Sequence, residues 1–148
     1  MTIKILMSLL AVFVLLKTYN VKTNFKKEVT LLLCFSTLVT WFTSKILITI
    51  GIFSYIITCI WIFSKGITLQ NLTKVEKANF IVLGFFSSLG MLFSFMSWPF
   101  AAFINIAMVV PIILYLYTSI TTKLKFFNDY LFLSILVLDC ISRFMKLF

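Results

Sequence analysis

Charged residues cut this chain into apolar runs, two of them too long for a single membrane helix and long enough for two. No charge occurs between Lys77 and Lys123. The stretch from Ala78 to Thr122 would measure about 68 Å as one helix at about 1.5 Å per residue. The hydrocarbon core of a bilayer is only about 30 Å thick. Two antiparallel helices joined by a tight turn use that length, and Ser97-Trp98-Pro99 supplies the turn. The run from Val29 to Phe63 repeats the pattern. It carries one charge, Lys45, would be about 53 Å long as a helix, and breaks best at Thr43-Ser44-Lys45.

Two further apolar runs flank these. The first, Ile5 to Leu16, follows Lys4 and precedes Lys17. It looks like the apolar part of a signal peptide, but the residues after it, Lys17-Thr18-Tyr19-Asn20, are not a small-residue cleavage site. It reads as a retained helix whose Lys4 and Lys17 reach the two interfaces. The last run follows Asp129. The pattern therefore predicts an all-α fold, a polytopic transmembrane helix bundle forming one integral membrane domain over residues 1–148. Its helices fall at about 3–19, 29–42, 46–63, 78–96, 100–121 and 130–147. Four or five crossings remain open, should the first or second helix lie in the interface.

Composition agrees with a lipid environment. The chain is 62% hydrophobic and 11% charged, where a soluble domain carries about 25% charge. The net charge of +9 would suggest nucleic acid in a soluble protein. Here the lysines sit in short connections between apolar runs, which is how topology is written, so the partners expected are lipid and not nucleic acid. In a six-helix reading one side holds Lys17, Lys22, Lys26, Lys27, Lys65, Lys74, Lys77, Lys123 and Lys125. The other holds Lys4, Lys45, Arg143 and Lys146. The richer side is expected to be cytoplasmic, placing both termini outside the cytoplasmic (inner) membrane of a bacterium.

Few residues offer chemistry. The chain has no histidine, which removes His-ligated metals, His bases and Ser-His-Asp triads together. Cys34, Cys59 and Cys140 lie in separate apolar runs without metal-type spacing. Glu28, Glu76, Asp129 and Asp139 are far apart in sequence, and no glycine-rich phosphate loop is present. The sequence therefore predicts no catalytic site, no cofactor and no metal. Asp139 is the exception to a plain interior. A carboxylate inside a membrane helix costs about 2.5–3.5 kcal/mol on insertion scales and marks a functional candidate. Arg143, one turn further on, offers a structural alternative as its ion-pair partner. Asn105, within the fifth helix, completes the candidate polar set, with helix-to-helix hydrogen bonding its plainer role. Pro111 predicts a kink in that helix.

The fourth helix carries Gly84, Ser87, Ser88 and Gly90, with Ser94 beyond. Small residues at this spacing let helix backbones approach closely, within one chain or between chains. The second helix bears a hydroxyl stripe, Ser36, Thr40, Thr43 and Ser44. Bonding back to the helix's own carbonyls is one reading and a polar conduit the other.

Residues Leu92 to Ala101, containing Ser97-Trp98-Pro99-Phe100-Ala101, resemble the turn of a two-helix hairpin in small inner-membrane proteins of Bacteroidetes. That family includes the membrane motor subunits of gliding motility and type IX secretion. Trp98, Pro99 and Ala101 match its turn. Ser97 stands where the family has His, and Phe100 where it has Gly. The likeness covers one hairpin and implies a similar turn and source. The family's acidic residue in the following helix has no counterpart here, so proton-driven rotation is not implied. Trp at an interface beside Pro at a helix start also has a purely physical origin.

Two functions follow as expectations. The first is a non-catalytic structural or assembly subunit of a membrane complex, with a membrane-protein partner or self-association. The second is a small oligomeric transporter or channel built on Asp139.

Overall fold

The computed structural model describes residues 2–18, 24–70 and 72–146. Among them it holds eight helical segments: α1 (Thr2–Thr18), α2 (Asn24–Val39), α3 (Lys45–Thr68), α4 (Lys74–Phe95), α5 (Ala101–Ala107), α6 (Val109–Thr121), α7 (Lys125–Asp129) and α8 (Leu133–Met145). α5 and α6 form one broken rod, and α7 is a short connector, so six rods alternate in direction. Tyr19, Lys22 and Leu147, expected at helix ends or in a basic connection, lie outside the described residues, as does the side chain of Lys4.

Three of these spans are long and apolar enough to cross a membrane: Lys45–Thr68, Lys74–Phe95 and Ala101–Thr121. α1, α2 and α8 have 17, 16 and 13 residues, below the roughly 20 that a full crossing takes. The bundle is inside-out by the standards of a water-soluble protein. Leu9, Ile46 and Phe103 are 66%, 73% and 73% exposed, similar residues line the outward faces of the other rods, and α8 exposes Met145 at its end. Asn79, Thr58, Ser87, Asp139 and Arg143 are buried. So continuous an apolar exterior suits lipid and not water.

Helix boundaries depart from the sequence reading where local capping decides them. α4 begins at Lys74, not near Ala78, because Thr73 and Glu76 form a capping box. The Thr73 amide donates to Glu76 Oε2 at 2.8 Å, and the Glu76 amide donates to Thr73 Oγ1 at 3.3 Å. Asn79 consequently lies inside the helix. α2 starts earlier than expected, at Asn24, and stops at Val39, so the hydroxyls Thr43 and Ser44 fall in the turn. α3 runs on to Thr68, and α8 opens at Leu133.

The turn after α4 has a physical cause. Ser97 takes a left-handed φ of 51°, and the Trp98 amide donates to Phe93 O at 3.2 Å. This is the six-to-one bond of a Schellman ending. The Trp98 ring packs edge-on to Phe93 with centroids 4.7 Å apart, supplying the apolar contact that accompanies such endings. The same motif ends α6, where the Leu124 amide donates to Ser119 O at 2.8 Å. The break at Met108 lies three residues before Pro111, whose ring cannot sit against the carbonyl four residues back.

α3 and α4 make the most extensive contact between helices. A Cβ on Gly84 would lie 2.7 Å from Cys59 O and 2.8 Å from Phe63 N, so α4 rests directly on the α3 backbone there. The small stripe on the fourth helix thus packs largely inside the chain. Gly84 meets α3, Ser87 meets Cys140 of α8 at 3.6 Å, and Ser88 is half-buried and bonds back to Phe85 O.

Candidate functional site

α8 carries the site on its inward face. Asp139 and Arg143 are four residues apart, a spacing that stacks them one turn above the other. They are 7% and 5% exposed. Arg143 Nε donates to Asp139 Oδ2 at 2.8 Å. The pair is also tied to two other helices. Tyr55 of α3 donates its hydroxyl to the same Oδ2 at 2.8 Å. Arg143 Nη1 donates to Gly90 O and to Ser94 Oγ of α4, each at 2.7 Å. Nη2 reaches Met91 Sδ at 3.3 Å.

Gly90 makes this possible. A Cβ there would collide with Met108 Cε and come within 3.3 Å of Arg143 Cδ. Its missing side chain admits the guanidinium stem and leaves its carbonyl open as an acceptor. The cluster is therefore a clamp on α3, α4 and α8 in which the charged groups satisfy one another, the condition under which buried charge is tolerated.

One carboxylate oxygen stays outside the clamp. Both hydrogen bonds from Tyr55 and Arg143 fall on Oδ2, and Oδ1 takes none from the described residues. Beside the pair is a cavity of about 320 Å³. α2 contributes Ser36 and Thr37 to its wall, and Thr40 just beyond it adds a third hydroxyl; Gly51, Tyr55, Ser94 and Ser142 come from α3, α4 and α8. Its residues occupy the end of the bundle away from the lysine-rich connections, and Lys146 stands at its rim, exposed. These three hydroxyls donate to the backbone of α2, Ser36 to Leu32 O at 2.6 Å, Thr37 to Cys34 O at 2.9 Å and Thr40 to Thr37 O at 2.7 Å. Of the two readings of the hydroxyl stripe, back-bonding is what Ser36 and Thr40 do, and both also line the cavity.

The opposite end is built differently. Phe80, Phe126 and Phe132 are fully buried and meet Tyr130 and Phe25 edge-on or tilted, with centroids 5.0–6.3 Å apart. Such contacts stabilise by about 0.5–1.5 kcal/mol per pair beyond simple burial. Lys26 lies over the Tyr130 ring at 4.5 Å and Lys65 over Phe25 at 5.6 Å. Tyr130 belongs to the connection before α8, and burial lifts its phenol above the ordinary value, with Glu76 and Asp129 adding to the effect. Between the two ends, Asn79 of α4 donates to Thr118 Oγ1 of α6, which donates to Leu114 O at 2.8 Å.

The sequence-level candidates divide accordingly. Asp139 and Arg143 come together. Asn105 does not join them: it sits half-buried on α5, makes no side-chain hydrogen bond to the described residues, and lines no part of the cavity. The polar residue that ties α4 to the α5–α6 rod is Asn79. Tyr55 was missed, although a phenol in the middle of an apolar run signals a buried partner. Trp98 and Pro99 lie in the turn, and Pro111 in the broken rod, away from the cluster. No group of three or more metal-ligating side chains occurs among the described residues. Compared with protein-family models, curated proteins and solved structures, the chain matches none.

Proposed function

We propose that the chain is a multi-pass integral membrane protein acting as a non-catalytic structural or assembly subunit of a membrane complex in a bacterial inner membrane. Its six antiparallel rods cross the bilayer with the lysine-rich connections in the cytoplasm and both termini outside. The short rods α1, α2 and α8 are accommodated by local thinning and by their turn residues. The observation that carries the scaffold reading is the clamp. The buried charges are spent on one another and on Tyr55, Gly90 and Ser94, so they hold helices together. The test is purification from the native membrane in mild detergent with mass spectrometry of whatever follows. A stoichiometric membrane-protein partner is expected; a homo-oligomer without a partner would remove the reading.

A second reading, a small transporter or channel, is favoured by the cavity beside Asp139. An Asp139→Asn variant separates the two. Flux lost with insertion and assembly intact supports transport. Assembly lost supports the scaffold.

A further inference from the structure

We infer that the cavity beside the clamp binds an oxyanion carried on a small apolar body. The inference goes beyond the scaffold and transporter readings, because it concerns only what the cavity accepts. The charge at this end of the bundle carries it. Arg143 and Lys146 line the cavity together with Asp139, and Lys45 opens α3 one turn before the lining residue Ile48. Asp139 is spent on Arg143 and Tyr55, so that pair is close to neutral. Lys146 makes no ion pair among the described residues and is the uncompensated charge of the lining. The other acids, Glu28, Glu76 and Asp129, belong to the lysine-rich end, in the opening turns of α2 and α4 and at the close of α7. The volume of about 320 Å³ is at the low end for small-ligand pockets, which run from about 300 to 1,000 Å³.

The uncommitted hydrogen-bond donors of the lining come from α4 and from α8 with its C-terminal end. Ser94 Oγ accepts from Arg143 Nη1, and its own proton meets no acceptor among the described residues. Ser94 is exposed, and Ser142 is half-buried without a hydrogen bond to the described residues. Arg143 uses Nε, Nη1 and one N–H of Nη2 on Asp139, Gly90, Ser94 and Met91, which leaves a second Nη2 N–H over. Lys146 adds an ammonium at the rim. An oxyanion accepts several such bonds at once, and bonds between charged partners are about twice as strong as neutral ones. A ligand ammonium would instead meet the positive charge of Lys146, and an alcohol would leave that charge unused. Ser36, Thr37 and Thr40 give their protons to backbone carbonyls and present only lone pairs, so the anionic group belongs on the α4–α8 side. Met7, Ile48 and Ile52 offer apolar surface to the body that carries it.

Two sources share this chemistry, a free organic anion and the phosphate of a phospholipid headgroup. The experiment uses the full chain in dodecyl maltoside, a neutral detergent without phosphate. It follows the thermal transition at low salt during titration with n-butyl phosphate, n-butanol or n-butylammonium. A parallel set contains phosphatidylglycerol. Butyl phosphate is expected to raise the transition in a saturable way, about tenfold more tightly than butanol, with butylammonium inert. If phosphatidylglycerol raises the transition and blocks the butyl phosphate effect, the headgroup is the source; if it does neither, the free anion is. Lys146 is exposed, so Lys146→Gln should weaken butyl phosphate binding by about fivefold, the scale of one solvent-screened charge. Lys125→Gln makes the same charge change at an exposed position of the lysine-rich end and should leave binding unchanged. Ser142→Phe fills the cavity from α8 and should abolish the shift. Butyl phosphate binding no tighter than butanol, equal weakening by the two lysine variants, or a shift unchanged in folded Ser142→Phe would overturn the proposal. The wild-type probe series and the lysine variants decide the matter even where Ser142→Phe fails to fold.

Discussion

The two ends of this bundle are built on many of the same helices and do opposite things with them. At the lysine-rich end, Phe80 of α4 and Phe132 beside α8 fill the interior with fully buried rings. At the other end, the same helices contribute Met91, Ser94, Asp139 and Ser142, and a cavity of mixed polar and apolar lining remains. The difference comes from side-chain size and polarity: rigid rings close one end, and serine, threonine and glycine leave the other open. The open end can keep its space because its charges are already paired. A lone Asp139 would be costly at that depth, whereas the clamp pairs it with Arg143 and Tyr55.

The largest test of that contrast removes half of the clamp. Arg143→Leu leaves Asp139 buried without its cation and is expected to cost about 3–5 kcal/mol, measured by reversible unfolding in bicelles. Adding Asp139→Leu should recover most of the loss, since apolar replacement of an entire buried pair is often neutral. A single variant as stable as wild type would mean that the pair does not hold the helices. Next come the glycines. Gly84→Ala drives a Cβ into the α3 backbone at Cys59 and Phe63 and is expected to cost about 1–3 kcal/mol. Gly90→Ala meets the movable end of Met108 and should cost less; the reverse order would contradict the packing described for the two positions. The smallest effects belong to single hydrogen bonds. Tyr55→Phe and Asn79→Leu should each cost about 0.6 kcal/mol and at most about 1.7.

Much of the fold was legible because it depends on runs and breaks. The charge-free stretches, the breaks near Thr43 to Lys45 and at Ser97 to Pro99, and the disturbance at Pro111 all follow from local sequence. The Asp139–Arg143 pair was legible for the same reason, being one helical turn apart. The capping box at Thr73 and Glu76 carried a readable local signal that moves the start of α4. What could not be read required contacts across the bundle. Tyr55 lies 84 residues from Asp139, and nothing in either segment names the other. The cavity draws its lining from five helices, so it exists only once their order and rotation are set. Asn105 and Asn79 look alike as lone amides in apolar runs. Rotation about the helix axis separates them, turning Asn79 onto α6 and leaving Asn105 without a side-chain hydrogen bond to the described residues.

The central claim, one open polar end and one sealed aromatic end, is tested most directly by cysteine accessibility. The three native cysteines are buried and should stay silent. A single cysteine is placed at Ser142 on the cavity wall or at Ser119 in the buried interior of α6, and a membrane-impermeant maleimide is applied to intact cells and to inverted vesicles. The expected result is labelling of Ser142→Cys from the cell exterior alone and of Ser119→Cys from neither side. Equal labelling of the two positions, or protection of Ser142→Cys from both sides, would contradict it.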